Sequence, residues 1–177
     1  MSKEIEKKWL WNPNEPLDYY IDEAPCVNIK DYYFNDYCRM RMVNGLCYLT
    51  IKSKGNLIRE EYEFLVDKEQ DLDFIPAPVI RKTRYFYQEN NFIYEINIFR
   101  DICIGYGQAL IIVELELESP SLLPDHLPRF CGQDVTNENS IYGYEIFKML
   151  KEGYDKSMPV KRKEDNIIYI ADYRKGE

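Results

Sequence analysis

Glu4, Glu6 and Lys8 stand two residues apart near the start of the chain, with Ile5 and Lys7 between them. Alternate side chains of a β-strand share a face, so one strand here would turn two carboxylates and an ammonium the same way. That grouping is out of place on the covered face of a sheet. It makes sense where the face lines a wet, charged cavity. Taken alone, such a pattern is more often a solvated strand or helix turn, but here the alternation returns six times downstream.

Arg39 and Arg41 alternate with Met40 and Met42, and Tyr48, Thr50 and Lys52 with Leu49 and Ile51. Arg59, Glu61 and Glu63 stand opposite Tyr62 and Phe64, and Lys82 and Arg84 opposite Thr83 and Tyr85. Glu95 and Asn97 alternate with Tyr94, Ile96 and Ile98, and Glu114 and Glu116 with Val113, Leu115 and Leu117. Together the charged faces hold seven acids (Glu4, Glu6, Glu61, Glu63, Glu95, Glu114, Glu116) and seven bases (Lys8, Arg39, Arg41, Lys52, Arg59, Lys82, Arg84).

Arginine offers phosphate oxygens a bidentate fork. Carboxylates without histidine or cysteine suit a hard cation such as Mg²⁺ or Mn²⁺. Both kinds of group on facing walls suit a metal-bound polyphosphate, because metal and bases can neutralise the charge that develops in phosphoryl transfer. The competing reading is a set of ion pairs stapling a barrel. It holds for any one pair, but a set this regular would be a wasteful way to fill an interior.

These residues need strands to position them. Strands are expected over residues 3–10, 26–34, 37–43, 46–53, 57–65, 80–88, 92–99 and 108–118, with a last one at 166–173. Asn44-Gly45 is a strong two-residue hairpin turn; Lys54-Gly55-Asn56 and Asn90-Asn91 also read as turns. Residues 12–24 read as a loop and a short helical piece, 67–74 as a short helix, and 100–107 as a loop. Its Gly105 and Gly107 are too weak a signal for a phosphate loop, since no helix pattern follows. Residues 138–152 read as a helix stopped by Gly153, with Tyr142, Ile146, Met149 and Leu150 on one apolar face. Lys161-Arg162-Lys163 reads as a solvated loop.

Short turns between strands imply an antiparallel sheet. Polar-in, apolar-out alternation inverts the usual pattern, and about eight strands can close around a cavity. The expected class is α+β, mainly β: an eight-stranded antiparallel closed or nearly closed barrel with flanking helices. The helices at 138–152 and 66–74 are available to cover the apolar outer faces.

A chain of 177 residues is most simply one domain. The net charge of −8 argues against general binding to nucleic acid or an anionic membrane. No apolar run approaches a membrane span, and residues 1–20 lack a signal-peptide pattern. The five cysteines form no CxxC pair, so reduced thiols and a cytoplasmic location are expected. His126, between Pro124 and Pro128, is the sole histidine, which all but excludes a His-based triad or a His-rich metal site.

Glu4-Ile5-Glu6-Lys7-Lys8 resembles the ExExK signature of the CYTH superfamily, the triphosphate tunnel metalloenzymes. Further features agree in order: Arg39-Met40-Arg41, Leu49-Thr50-Ile51-Lys52, Arg59-Glu60-Glu61-Tyr62-Glu63, Lys82-Thr83-Arg84 and Glu114-Leu115-Glu116. Gly132-Gln133-Asp134-Val135-Thr136 followed by Tyr142 is similar to the family's closing segment. The resemblance covers roughly residues 3–150. It implies a tunnel domain over 1–153; residues 154–177 lie outside the resemblance and are expected to form a C-terminal extension packed on that domain.

The resemblance also implies roles. Glu4, Glu6, Glu114 and Glu116 would bind the metal, Mg²⁺ or Mn²⁺. Lys8, Arg39, Arg41, Lys52, Arg59, Lys82 and Arg84 would bind the triphosphate. Glu61 and Glu63 would support those bases, and Lys8, Glu95 and Asn97 would serve the chemistry. Two positions depart from the family pattern. Asn97 stands where members often carry Asp; if that Asp helps hold a second metal or the attacking water, this chain turns over slowly or uses Glu95 instead. Asp134 replaces the usual Glu and reads as structural.

The leading expectation is metal-dependent hydrolysis of inorganic triphosphate or a small organic triphosphate. The alternatives are a class IV-type adenylyl cyclase, for which no adenine-reading motif is visible, and a non-catalytic nucleotide or polyphosphate binder, which Asn97 favours. The expected partners are a small-molecule triphosphate and, at most, a second copy of the chain in a homodimer.

Overall fold

The computed structural model describes residues 2–55, 57–68, 78–104, 108–138, 143–157 and 168–170. The strands are β1 (Ser2–Trp11), β2 (Cys26–Asn35), β3 (Cys38–Val43), β4 (Leu46–Lys52), β5 (Ile58–Lys68), β6 (Ile80–Glu89), β7 (Phe92–Ile104), β8 (Gln108–Glu116), β9 (Cys131–Asp134) and β10 (Ile168–Ile170). Helix α1 spans Leu17–Ile21 and α2 spans Gly143–Ser157.

Eight strands run β7-β6-β2-β3-β4-β5-β1-β8, and β8 pairs back with β7 to close the ring. Every pairing in the ring is antiparallel. Closure leaves no open sheet edge in the ring. Asn44 and Gly45 both adopt positive φ, 53° and 74°, as the tight turn between right-handed twisted strands requires. β9 pairs with β1 and β10 lies parallel to β7.

Several boundaries differ from those expected. β7 does not stop at residue 99; it runs on to Ile104 through an irregularity between Ile98 and Cys103. β9 was not anticipated and comes from the closing Gly132–Thr136 segment. α2 continues through Gly153 to Ser157, because packing of its apolar face outweighs the roughly 1 kcal/mol that a helical glycine costs. Asp67 and Lys68, expected to open the short helix at 67–74, instead end β5; residues 69–74 of that expected helix, with Tyr142, Gly105, Gly107 and Lys161–Lys163, lie outside the described residues.

The outer cover also differs. Ile5, Trp9, Tyr94, Val113, Leu115 and Leu117, from the outer faces of β1, β7 and β8 and just beyond, pack around Phe130. Tyr20 of α1 meets the Phe130 ring edge-on at 4.9 Å, and Trp11 stacks on it at 5.5 Å. Over this patch the cover is α1 and the segment leading into β9, while α2 meets the outer face at Tyr32, whose ring lies 5.2 Å from that of Phe147.

α2 does something else. The inner face is charged along only part of each strand and then turns apolar: Lys8 gives way to Leu10, Glu114 to Ile112, Asn97 to Phe99 and Lys82 to Ile80. Ile146, Phe147 and Leu150 of α2 pack with Ile80, Phe99, Leu110 and Ile112 across that end. Each such side chain buried contributes roughly 1.5–3 kcal/mol. Among the described residues no helix is long and apolar enough to cross a membrane.

Candidate functional site

The barrel encloses a cavity of about 730 Å³ lined by all seven acids and all seven bases of the alternating faces. Strand register explains the convergence. Glu4 pairs with Arg59, Glu6 with Glu116 and Lys8 with Glu114. Glu95 stands opposite Glu114, and Arg84 opposite Asn97. Arg39 stands opposite Thr50, and Lys52 opposite Glu61. Directly paired residues share a face, so the charges form a continuous ring.

The ring is knit by ion pairs. Lys8 Nζ donates to Glu114 Oε1 at 2.6 Å and lies 2.8 Å from Glu6 Oε2. Arg59 reaches Glu4 at 3.0 Å and Glu6 at 2.7 Å. Lys52 reaches Glu4 and Glu61, each at 2.7 Å. Arg84 bridges Glu95 and Glu114, the latter at 2.8 Å. Thr50 Oγ1 donates to Glu63 Oε1 at 3.0 Å.

Two groups stand outside this pairing. Lys82 has no carboxylate partner among the described residues and lies over the Phe99 ring, 5.6 Å from its centroid. Glu116 likewise has no ion-pair partner among the described residues.

Burial and local charge tune the groups unevenly. Burial lowers the Lys8 ammonium, but the charges of Glu114 and Glu6 outweigh it and hold Lys8 above its ordinary value. Burial, and next the Arg84 charge, push Lys82 down to about 7. Burial raises Glu95, which the Arg84 charge opposes and the Glu114 charge reinforces. Burial raises Glu116, and the carboxylates of Glu4, Glu95 and Glu6 raise it further. Burial would also raise Glu114, but Lys8, Lys82 and Arg84 carry it well below the carboxylate range.

Asn97 is brought beside the ring and not into the cavity wall. Fully buried, its Oδ1 accepts from Arg84 Nε at 2.8 Å, while its Nδ2 donates to Glu114 Oε2 at 3.0 Å and to the Glu95 carbonyl at 3.2 Å. Asp134 lies apart from the cavity, accepting from Lys7 Nζ and from the Thr136 amide.

Sequence reasoning missed Asp31 and Tyr33, which β2 turns into the cavity beside Arg41 and Arg39. The readable signal was a lone acid in phase with Ile29 and opposite the flanking Lys30 and Tyr32. Tyr144 and Glu145 at the start of α2 also line the cavity.

The acids offer a divalent cation only hard oxygen donors, and the mutual repulsion that raises Glu116 is what a cation would relieve. The donor set therefore fits Mg²⁺ or Mn²⁺, although no three acids among the described residues already converge as a cage.

No protein-family model matches the chain. Over 147 residues it is 32% identical to an inorganic triphosphatase from Acetivibrio thermocellus, spanning 78% of this chain and 88% of that relative. Over 105 residues it is 30% identical to an inorganic triphosphatase from Nitrosomonas europaea, spanning 56% and 67% of the two chains. The crystal structure of an inorganic triphosphatase superposes with a TM-score of 0.53 at 22% identity, covering 83% of this chain and 95% of the other. That of a candidate adenylate cyclase from Bacillus halodurans gives 0.50 at 14% identity, covering 68% and 84%. These structural likenesses speak to the fold alone. The sequence identity, sustained over most of both chains, goes further: the chain belongs to the CYTH superfamily, the triphosphate tunnel metalloenzymes.

Proposed function

We propose that this chain hydrolyses a triphosphate, with inorganic triphosphate the first substrate to test, and that it needs a divalent cation to do so. The observation that carries this reading is the convergence of fourteen alternating charged side chains on one cavity. The relatives named inorganic triphosphatase support the same reaction.

Arg39, Arg41, Lys52, Arg59, Lys82 and Arg84 bind phosphate oxygens and set the polyanion in line. Lys8, held protonated between Glu6 and Glu114, donates to a phosphate oxygen and does not act as a base. Glu4, Glu6, Glu114 and Glu116 would hold Mg²⁺ or Mn²⁺, with Glu61 and Glu63 supporting the bases. The cation, when bound, neutralises charge on the transferring phosphoryl group. Water attacks the terminal phosphorus, the bridging P–O bond breaks, and diphosphate leaves with the bond's electrons. Glu95, whose raised carboxyl makes it the better proton acceptor, takes the water's proton.

Phosphate release measured over inorganic triphosphate, ATP and thiamine triphosphate, each with Mg²⁺ and with Mn²⁺, tests this. Release from at least one of them is expected. Conversion of ATP to cyclic AMP and diphosphate would replace hydrolysis by cyclisation, and tight binding with no turnover would leave a binder.

A further inference from the structure

The two arginines of β3 are held in very different ways. Arg41 is locked: its Nε donates to Asp31 Oδ1 at 2.8 Å and its Nη2 to Asp31 Oδ2 at 2.9 Å. Arg39 is held loosely. Its Nη1 lies 4.0 Å from Asp31 Oδ2 and 3.4 Å from the Tyr33 hydroxyl, and its Nη2 lies 3.9 Å from Glu61. Arg39 Nε is also the one buried side-chain polar atom without a hydrogen-bond partner among the described residues.

Asp31 is 1% exposed and faces the cavity from β2, directly opposite Arg41. A buried carboxylate that takes both donors of one guanidinium edge fixes the plane of that guanidinium. Its remaining N–H groups then face the cavity without an entropy loss on binding.

We infer that Asp31 is a positioning residue for triphosphate binding that acts through Arg41 and not through Arg39. This rests on the triphosphatase reading. Arg41 is the fixed part of the anion-binding wall, and Arg39 is the part that changes partners when the polyanion arrives. Burial raises the Asp31 carboxyl, but the charges of Arg41 and Arg39 outweigh it and keep Asp31 ionised.

The test is a pair of double-mutant cycles on kcat and KM for inorganic triphosphate, with triphosphate affinity read independently by calorimetry. Asp31→Asn is expected to raise KM about 10-fold and change kcat less than about 3-fold, as loss of a ground-state binding contribution does. Adding Asp31→Asn to Arg41→Gln should cost nothing further, whereas adding it to Arg39→Gln should multiply the two effects. An unchanged KM in Asp31→Asn, or multiplicative effects in both cycles, overturns the inference. Should Asp31→Asn fail to fold, Asp31→Glu keeps the charge and shifts the carboxylate by one methylene. A raised KM in that variant supports the inference and an unchanged one overturns it. A wild type that neither binds nor hydrolyses triphosphate overturns the proposed function as well; a wild type that turns over while its Asp31 variants keep wild-type KM overturns this inference alone.

Discussion

Glu6 and Glu116 stand directly opposite each other across the β1–β8 pair, on the cavity face. Glu6 is neutralised by Lys8 and Arg59, whereas Glu116 has no ion-pair partner among the described residues. Glu116 is thus a cavity acid whose charge no ion pair among the described residues neutralises.

This asymmetry separates variants at two of the proposed cation-binding acids, which look equivalent in the sequence. Glu116→Gln breaks no ion pair among the described residues. It should leave the thermal midpoint near wild type while raising the half-saturating Mg²⁺ or Mn²⁺ concentration about 10-fold, the equivalent of losing ~1.4 kcal/mol of cation binding. Glu114→Gln strips a partner from both Lys8 and Arg84, and breaking a buried pair costs about 3–5 kcal/mol. It should unfold at clearly lower temperature. Metal titrations of activity beside thermal melts check both. A Glu116→Gln enzyme with the wild-type metal requirement contradicts the assignment.

Lys82 should make triphosphate binding sensitive to pH. With its ammonium brought down to about 7 by burial and Arg84, the free protein loses a positive charge as pH rises through neutrality. Only the charged form attracts phosphate, so kcat/KM, which reports the free enzyme, should fall above about pH 7. Lys82→Arg stays charged throughout and should flatten that limb. Superimposable profiles for the two proteins between about pH 6 and 9 would rule Lys82 out as the titrating group.

Asn97 is not simply a carboxylate gone missing. Its amide donates to Glu114 and accepts from Arg84 at once, which a carboxylate cannot do. Asn97→Asp would set an acid 3.0 Å from Glu114 Oε2. Losing a buried hydrogen bond to a charged group costs about 1.5–3 kcal/mol, and like charges at that distance add to the loss. A lower thermal midpoint and lower kcat are expected. A faster, equally stable Asn97→Asp protein would restore the missing-carboxylate reading.

The start of α2 is packed against the β2 wall. A Cβ added at Gly143 would overlap the Tyr33 hydroxyl, the group that accepts from Arg39. Gly143→Ala should therefore push Tyr33 or α2 aside and raise KM for triphosphate, an effect that Tyr33→Phe in the same background should relieve in part. Steady-state kinetics on the two variants decides it.

Most of the cavity was legible because its strands obey a period of two. Arg39 with Arg41, or Glu114 with Glu116, can face one way only if the chain is extended, and all of them do line the cavity. What the period hides is where along a strand the inner face changes character. Leu10, Ile112 and Phe99 are in phase with the charged residues, yet they form the apolar end that α2 covers, so an apolar helix face suited the inside as well as the outside. Asp31 escaped because one acid between Ile29 and Tyr33 makes no alternation of its own; its meaning comes from Arg41 across the β2–β3 pair. The surroundings of Asn97 were hidden for the same reason, since its partners Arg84 and Glu114 sit on neighbouring strands.

The charged cavity is proposed to hydrolyse triphosphate with the help of a divalent cation. The direct measurement is phosphate release from inorganic triphosphate by the purified protein with Mg²⁺ or Mn²⁺, with excess chelator, and by Arg59→Ala under the same conditions. Expected is steady release with metal, none above background with chelator, and a loss of at least about 10-fold in Arg59→Ala, which removes a cation from the anion-binding wall. Release that is indifferent to chelator, or equal in wild type and a folded Arg59→Ala protein, would contradict it.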